Sequence, residues 1–259
     1  MAKHTEKVAI VTGSTQGLGE AIARRLVNEG MIGGLVICGR NAAAGERLAH
    51  ELTGQGCRTE FVPADLAKIE DCNRISETAR GVFERIDYLV NSAATSERGS
   101  ILDTTPERFD RIMAINVRAP FFLMQAATRT MIERGTAGSV LNILSMSSHG
   151  GQSFLTPYSA SKGALATLTR NVAHAMRPHR IRVNGLNLGW MDTPGEDAIQ
   201  KKFHAASDDW LNKAEHTQPF GRLVKPAEVA EFAAFLLSDR SGLMTGSLID
   251  YDQNIVGTS

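Results

Sequence analysis

Along this chain, apolar residues gather in seven short runs, and between the runs they recur at the spacing of one helical face. The runs at 7–12, 35–39, 58–63, 87–90, 138–144, 180–186 and 247–250 read as strands. Helices are predicted at about 17–29, 42–53, 69–85, 106–134, 157–177, 195–215 and 226–237. Several open on a proline behind a possible cap, as at Thr105-Pro106, Thr156-Pro157 and Lys225-Pro226. Strict alternation of strand and helix implies right-handed crossovers and a parallel sheet covered on both faces, the doubly wound α/β arrangement, whose ligands sit outside the carboxyl ends of the strands.

Length and composition narrow this little. At 259 residues, with 42% hydrophobic and 22% charged residues, the chain has material for one substantial core, and no repeat or proline-rich linker marks a second domain. One domain over 1–259 is the expectation. Twenty-eight basic residues balance twenty-eight acidic ones without a block of like charge, which disfavours nucleic acid or a membrane surface as partner. Residues 1–7 are polar and the run behind them is too short for a signal-peptide core or a membrane span, so a cytoplasmic location is expected. Cys38, Cys57 and Cys72 lack paired metal-site spacing; they read as small buried residues, and no metal site is predicted.

The first strand runs into Thr12-Gly13-Ser14-Thr15-Gln16-Gly17-Leu18-Gly19, followed by a helical pattern. Glycines there allow a tight turn, close approach of backbone N–H groups to a pyrophosphate, and close packing of helix on sheet. About twenty residues on, where a carboxylate would grip the adenosine ribose of NAD, stand Arg40 and Asn41, and no acid occurs between Glu29 and Glu46. Arg40 can meet a 2′-phosphate through charge-assisted hydrogen bonds, which favours NADP over NAD; the alternative is a solvated arginine after a strand. Further along lies Tyr158-Ser159-Ala160-Ser161-Lys162, which puts a phenol and an ammonium on one helical face. A free tyrosine, with a pKa of about 10, is a poor base at neutral pH; a neighbouring cation favours the phenolate.

The spacing Gly-x-x-x-Gly-x-Gly, with Tyr-x-x-x-Lys and a serine thirteen residues upstream at a strand end, resembles the classical short-chain dehydrogenase/reductase family. That resemblance implies a single-domain Rossmann-like fold of about seven strands and an NAD(P)-dependent oxidoreductase interconverting a carbonyl compound and a secondary alcohol. It implies that Ser145 hydrogen-bonds the substrate oxygen, Tyr158 exchanges its proton, Lys162 lowers the tyrosine pKa and holds the nicotinamide ribose, and Asn116 holds a water linking Lys162 to solvent. Ser147 and Ser148 stand close by, but the family spacing and the strand end favour Ser145. A local helix kink is the other reading of Asn116. Cofactor contacts are implied for Gly13, Ser14, Thr15, Gln16, Gly17, Leu18, Gly19, Asp65, Leu66, Asn91, Ala93, Tyr158, Lys162 and Thr193, although Asn91 could equally tie neighbouring strands together.

Leu188 stands where the family usually has proline, which could loosen the following loop. Residues 189–218 are expected to form a lid, and His149, Gln152, Ser153 and Phe154 give the pocket a mixed lining suited to a sugar or polyol. The resemblance also implies a homotetramer or homodimer built through the helices at 106–134 and 157–177. Two rivals remain: a non-catalytic NADP-binding redox sensor or scaffold, for which Ser145, Tyr158 and Lys162 would be unnecessary, and an epimerase or dehydratase, for which the chain is short.

Overall fold

The computed structural model describes residues 6–257; residues 1–5 and 258–259, the ends of the expected 1–259 unit and part of the polar leader, lie outside the described residues. Seven strands, β1 (Val8–Thr12), β2 (Gly34–Gly39), β3 (Arg58–Pro63), β4 (Tyr88–Asn91), β5 (Ser139–Ile143), β6 (Arg182–Leu188) and β7 (Leu248–Tyr251), form one sheet in the order β3-β2-β1-β4-β5-β6-β7. Every pairing is parallel. The fold is thus a Rossmann-like doubly wound sheet flanked by helices, and its strand order reverses between β1 and β4, which opens a crevice there.

Burial follows the pleat. Ala9 and Val11 of β1, Leu35 and Ile37 of β2, and Leu141 and Ile143 of β5 enter one apolar cluster with α1 (Gly17–Asn28) and α9 (Pro226–Leu237). Ile10, Val36 and Val140, one residue out of step, enter the opposite cluster with α3 (Ile69–Phe83), α5 (Ala119–Arg134) and α6 (Thr156–Met176). Central strands β1, β4 and β5 are buried throughout, whereas β7 at the edge is only partly so. The helix α2 (Ala42–Gly54) completes the first layer, and all three cysteines are buried free thiols.

Three expectations are corrected. The helix predicted over 106–134 is divided into α4 (Pro106–Met113), a wider π turn at Ala114–Arg118, and α5. Pro120 has no N–H for the carbonyl four residues before it, Asn116, and the bond that forms instead spans five residues, from the Ala119 N–H to the Ala114 carbonyl. The helix predicted over 195–215 is two, α7 (Pro194–His204) and α8 (Trp210–His216), parted where Ala205 takes a left-handed conformation with φ 47°. Leu188 does not loosen its loop: it extends β6 beyond the predicted end at 186 and pairs with Tyr251. The next N–H, that of Gly189, donates to the Tyr251 carbonyl at 3.1 Å, so the chain leaves β6 still held to β7.

Candidate active site

The carboxyl ends of β1, β4, β5 and β6 converge on the crevice. Gly13 leaves β1 with φ 66°, and a Cβ placed there would lie 2.8 Å from the Cα of Ala93, so only glycine lets the ends of β1 and β4 approach this closely. The buried hydroxyl of Thr12, a residue the sequence reading passed over, accepts the N–H groups of Ser92 and Ala93 at 3.0 Å each. Ser14 is spent inside the fold: its N–H donates to the Cys38 carbonyl, and its hydroxyl donates to the Val11 carbonyl while accepting the Cys38 N–H. Thr15 packs against Gly39, and Leu18 and Gly19 are buried at the start of α1.

The other side of the turn is open. The Gln16 side chain does not cap the α1 N-terminus, and among the described residues a Cβ on Gly17 would meet only Thr193, at 3.7 Å. Unpaired N–H groups and the positive end of a helix dipole therefore face the crevice, an arrangement that fits a pyrophosphate. Arg40, beyond β2, is exposed and has no ion pair among the described residues. Asn41 is partly committed, since its Oδ1 accepts the Ala44 N–H and caps α2. Asp65 accepts from the Ala67 N–H beside buried Leu66, and the Thr193 hydroxyl caps α7 by accepting the Glu196 N–H. Asn91 does tie strands, donating to Asn142 Oδ1 at 2.8 Å, yet its own Oδ1 is buried with no partner among the described residues, an acceptor left over beneath the crevice.

Ser145 stands two residues beyond β5, and its side chain accepts the Ser147 N–H at 3.1 Å. Tyr158 and Lys162 occupy the first two turns of α6, with the ammonium 5.7 Å from the phenol ring centre. Lys162 is buried and donates to the Ile143 carbonyl at 2.7 Å, which fixes it beneath the tyrosine, and burial brings its pKa down to about 8. For the half-buried phenol, desolvation is the largest influence and pushes its pKa up; the neighbouring Ser145 hydroxyl pulls the other way. The expected lowering by Lys162 is therefore not a property of the protein groups alone: desolvation outweighs them.

Asn116 lies in the π turn, buried, and its side chain is fully used. Oδ1 accepts the Thr95 N–H, while Nδ2 donates to the Thr95 carbonyl and to Ser161 on α6. The kink and a functional placement thus coincide. The Asn116 side chain joins the β4–α4 loop to the helix carrying Tyr158 and Lys162, and the wider turn leaves its carbonyl without the usual donor from position 120.

Sequence reading missed a cluster at the mouth. Arg98 lies close enough for its charge to act on the phenol of Tyr158. The charge of Glu196 acts on the same phenol with opposite sign, and the Glu196 carboxylate accepts from the Trp190 indole at 2.9 Å. No local spacing reveals this, because the loop of Arg98 and the helix of Glu196 meet only in the fold. Among the described residues there is no group of three or more His, Cys, Asp or Glu side chains able to hold a metal, and no helix long and apolar enough to cross a membrane.

A family model described as enoyl-(acyl carrier protein) reductase matches residues 13–253. L-xylulose reductase of Bos taurus is 35% identical over 251 residues, covering 96% of each chain. NADP-dependent (R)-specific alcohol dehydrogenase of Lentilactobacillus kefiri is 30% identical over 93% of each. L-sorbose reductase of Gluconobacter frateurii, solved with NADPH and L-sorbose, superposes with a TM-score of 0.91 at 28% identity, covering 99% of this chain and 98% of that one.

Proposed function

The chain belongs to the short-chain dehydrogenase/reductase family of oxidoreductases, and from that premise we propose that it is an NADP(H)-dependent reductase converting a carbonyl of a sugar or polyol-type substrate into a secondary alcohol. The observation that carries this reading is the half-buried Tyr158, whose phenol lies within reach of Ser145 and whose ring centre is 5.7 Å from the ammonium of Lys162, at the carboxyl end of β5. When bound, the nicotinamide supplies the hydride. Ser145 donates a hydrogen bond to the carbonyl oxygen, and Tyr158 gives that oxygen its proton as the alcohol forms. Lys162 presents its charge to the phenol and to the nicotinamide ribose, and Asn116 carries the water linking it to solvent. Gly13, Thr15, Gln16, Gly17 and the α1 N-terminus would hold the pyrophosphate, Asp65 and Leu66 the adenine end, and Thr193 the carboxamide.

Two similar proteins support the substrate class by their names, one reducing L-xylulose and one bound to L-sorbose. On the pocket side Ser147 donates to Gln152, and His149 meets Asp250 at 3.2 Å, a polar lining with donors and acceptors that a hydroxylated ligand can join. Residues 189–218, with α7 and α8, are read as the lid, and the exposed Phe109, Phe121 and Phe122 on α4 and α5 suit a dimeric or tetrameric contact in the cytoplasm. NADPH consumption with L-sorbose and L-xylulose should exceed that with steroid or acyl ketones; activity confined to the apolar group would remove the sugar assignment.

NADP preference rests on Arg40. Arg40→Ala should raise KM for NADPH roughly 30-fold, the loss of about 2 kcal/mol of charge-assisted hydrogen bonding, and change KM for NADH less than about threefold. Steady-state kinetics with both cofactors checks this, and equal effects would contradict it.

A further inference from the structure

The segment holding Arg98 is pinned at both ends. Thr95 is fixed by Asn116, and Gly99 exchanges hydrogen bonds with the strip before α6, its N–H donating to the Phe154 carbonyl at 2.9 Å and its carbonyl accepting the Thr156 N–H at 3.0 Å. Arg98 is thereby delivered to the mouth of the site from a rigid base. Its side chain is only 15% exposed. Nε donates to Nε2 of His204 at 3.0 Å, Nη1 donates to the Ser96 carbonyl at 3.1 Å, and Nη2 lies 3.7 Å from Oε1 of Glu196. The guanidinium also lies 5.6 Å from the ring centre of Phe154, whose edge meets His204.

Glu196 is in the first turn of α7 and His204 is its last residue, so one guanidinium touches both ends of this helix. Apolar packing does little for α7, since none of its residues is fully buried. Its attachment is polar. Glu196 transmits the hold, because the oxygen facing Arg98 also accepts from Trp190 at 2.9 Å and Gln200 at 2.7 Å. At its other side, the Thr193 cap reaches the glycine turn. The helix thus spans from cofactor cradle to substrate mouth, and Arg98 is the bolt at the mouth.

We propose that Arg98 is a positioning residue that clasps both ends of α7 across the site mouth and so sets the closed arrangement in which the substrate meets Tyr158. This rests on the reductase reading for its kinetic consequence, though not for its structural one. A planar fork with several fixed donors can address His204 and Glu196 together; a lysine, a single point charge, cannot. The charge of Arg98 also offsets that of Glu196 at the phenol, so the clasp keeps the two opposing influences in register.

The chain supplies its own reporter. Its two tryptophans, Trp190 and Trp210, flank α7 and stack with ring centres 6.2 Å apart, so intrinsic indole emission reports this region alone. Arg98→Ala should shift that emission to the red in the purified protein and speed limited trypsin cleavage after Lys201, Lys202 and Lys213 about tenfold. It should raise KM for L-sorbose about tenfold, with kcat changed less than threefold and NADPH affinity unchanged. His204→Leu should reproduce part of the emission shift, and Arg98→Lys should recover less than half of the KM change. Wild-type emission and cleavage in Arg98→Ala, or full rescue by lysine, would overturn the clasp. Emission and cleavage need no turnover, so a wild-type protein inactive on every carbonyl would sink the reductase reading while these two readouts still decided the role of Arg98.

Discussion

Tyr158→Phe is expected to lower kcat for carbonyl reduction by 10²–10⁴-fold while NADPH affinity stays within about threefold of wild type. The ring keeps its place at the start of α6, and Lys162 keeps its bond to the Ile143 carbonyl, so the pocket survives and only the proton donor is lost. Stopped-flow turnover beside NADPH titration separates the two quantities; residual turnover within tenfold of wild type would refute the assignment. The same phenol sets a pH dependence. Burial raises its pKa, so in reduction, which uses the protonated phenol, kcat should hold level through the neutral range and fall only as the phenol ionises at alkaline pH. In oxidation, which needs the phenolate, kcat should rise with pH over that range. The two profiles must slope in opposite senses, and a shared slope would point to a different group.

Gly13→Ala is expected to destabilise the fold by about 3 kcal/mol or more and to weaken NADPH binding at least about 100-fold. Two costs combine there. A left-handed backbone costs an alanine roughly 1–2 kcal/mol, and the new methyl would press on the main chain at Ala93, which the Thr12 hydroxyl pins at 3.0 Å and which therefore cannot yield without spreading β1 from β4. Gly30→Ala isolates the first cost, since Gly30 has φ 63° with nothing within 4 Å of a Cβ. That control should lose only about 1–2 kcal/mol and bind NADPH normally. Chemical denaturation and NADPH fluorescence titration report both effects; equal behaviour of the two variants would show that close approach at the turn is unimportant.

Much of the architecture was legible because it is written locally. The edge strand β3 and the helix α9 fall at their predicted bounds, one marked by its apolar run and the other by Lys225-Pro226 and a run of apolar residues. The π turn was hidden because widening a helix by one residue barely disturbs its apolar period, although Pro120 was the signal that could have exposed it. The break at Ala205 carried no glycine or proline to announce it. Site residues divide the same way. Ser145, Tyr158 and Lys162 stood out by spacing and the fold brings them together, whereas Ser14 and Asn41 prove largely occupied with bonds inside the fold that only three-dimensional neighbours reveal. Arg98, Glu196 and His204 meet across about a hundred residues, and Lys162 without burial would not show its lowered pKa.

The most direct test of the central claim follows the transferred hydrogen. Purified chain is given NADPH carrying deuterium at both hydrogens of nicotinamide C4, with L-sorbose or L-xylulose, and the product is read by mass spectrometry and NMR. Deuterium is expected on the new carbinol carbon, one atom per NADPH consumed, in the wild type, and at a rate about 10²–10⁴-fold lower in Tyr158→Phe. NADPH that binds tightly while no label reaches any ketose, alcohol-derived ketone or acyl ketone would contradict it and would leave a cofactor-binding protein without this chemistry.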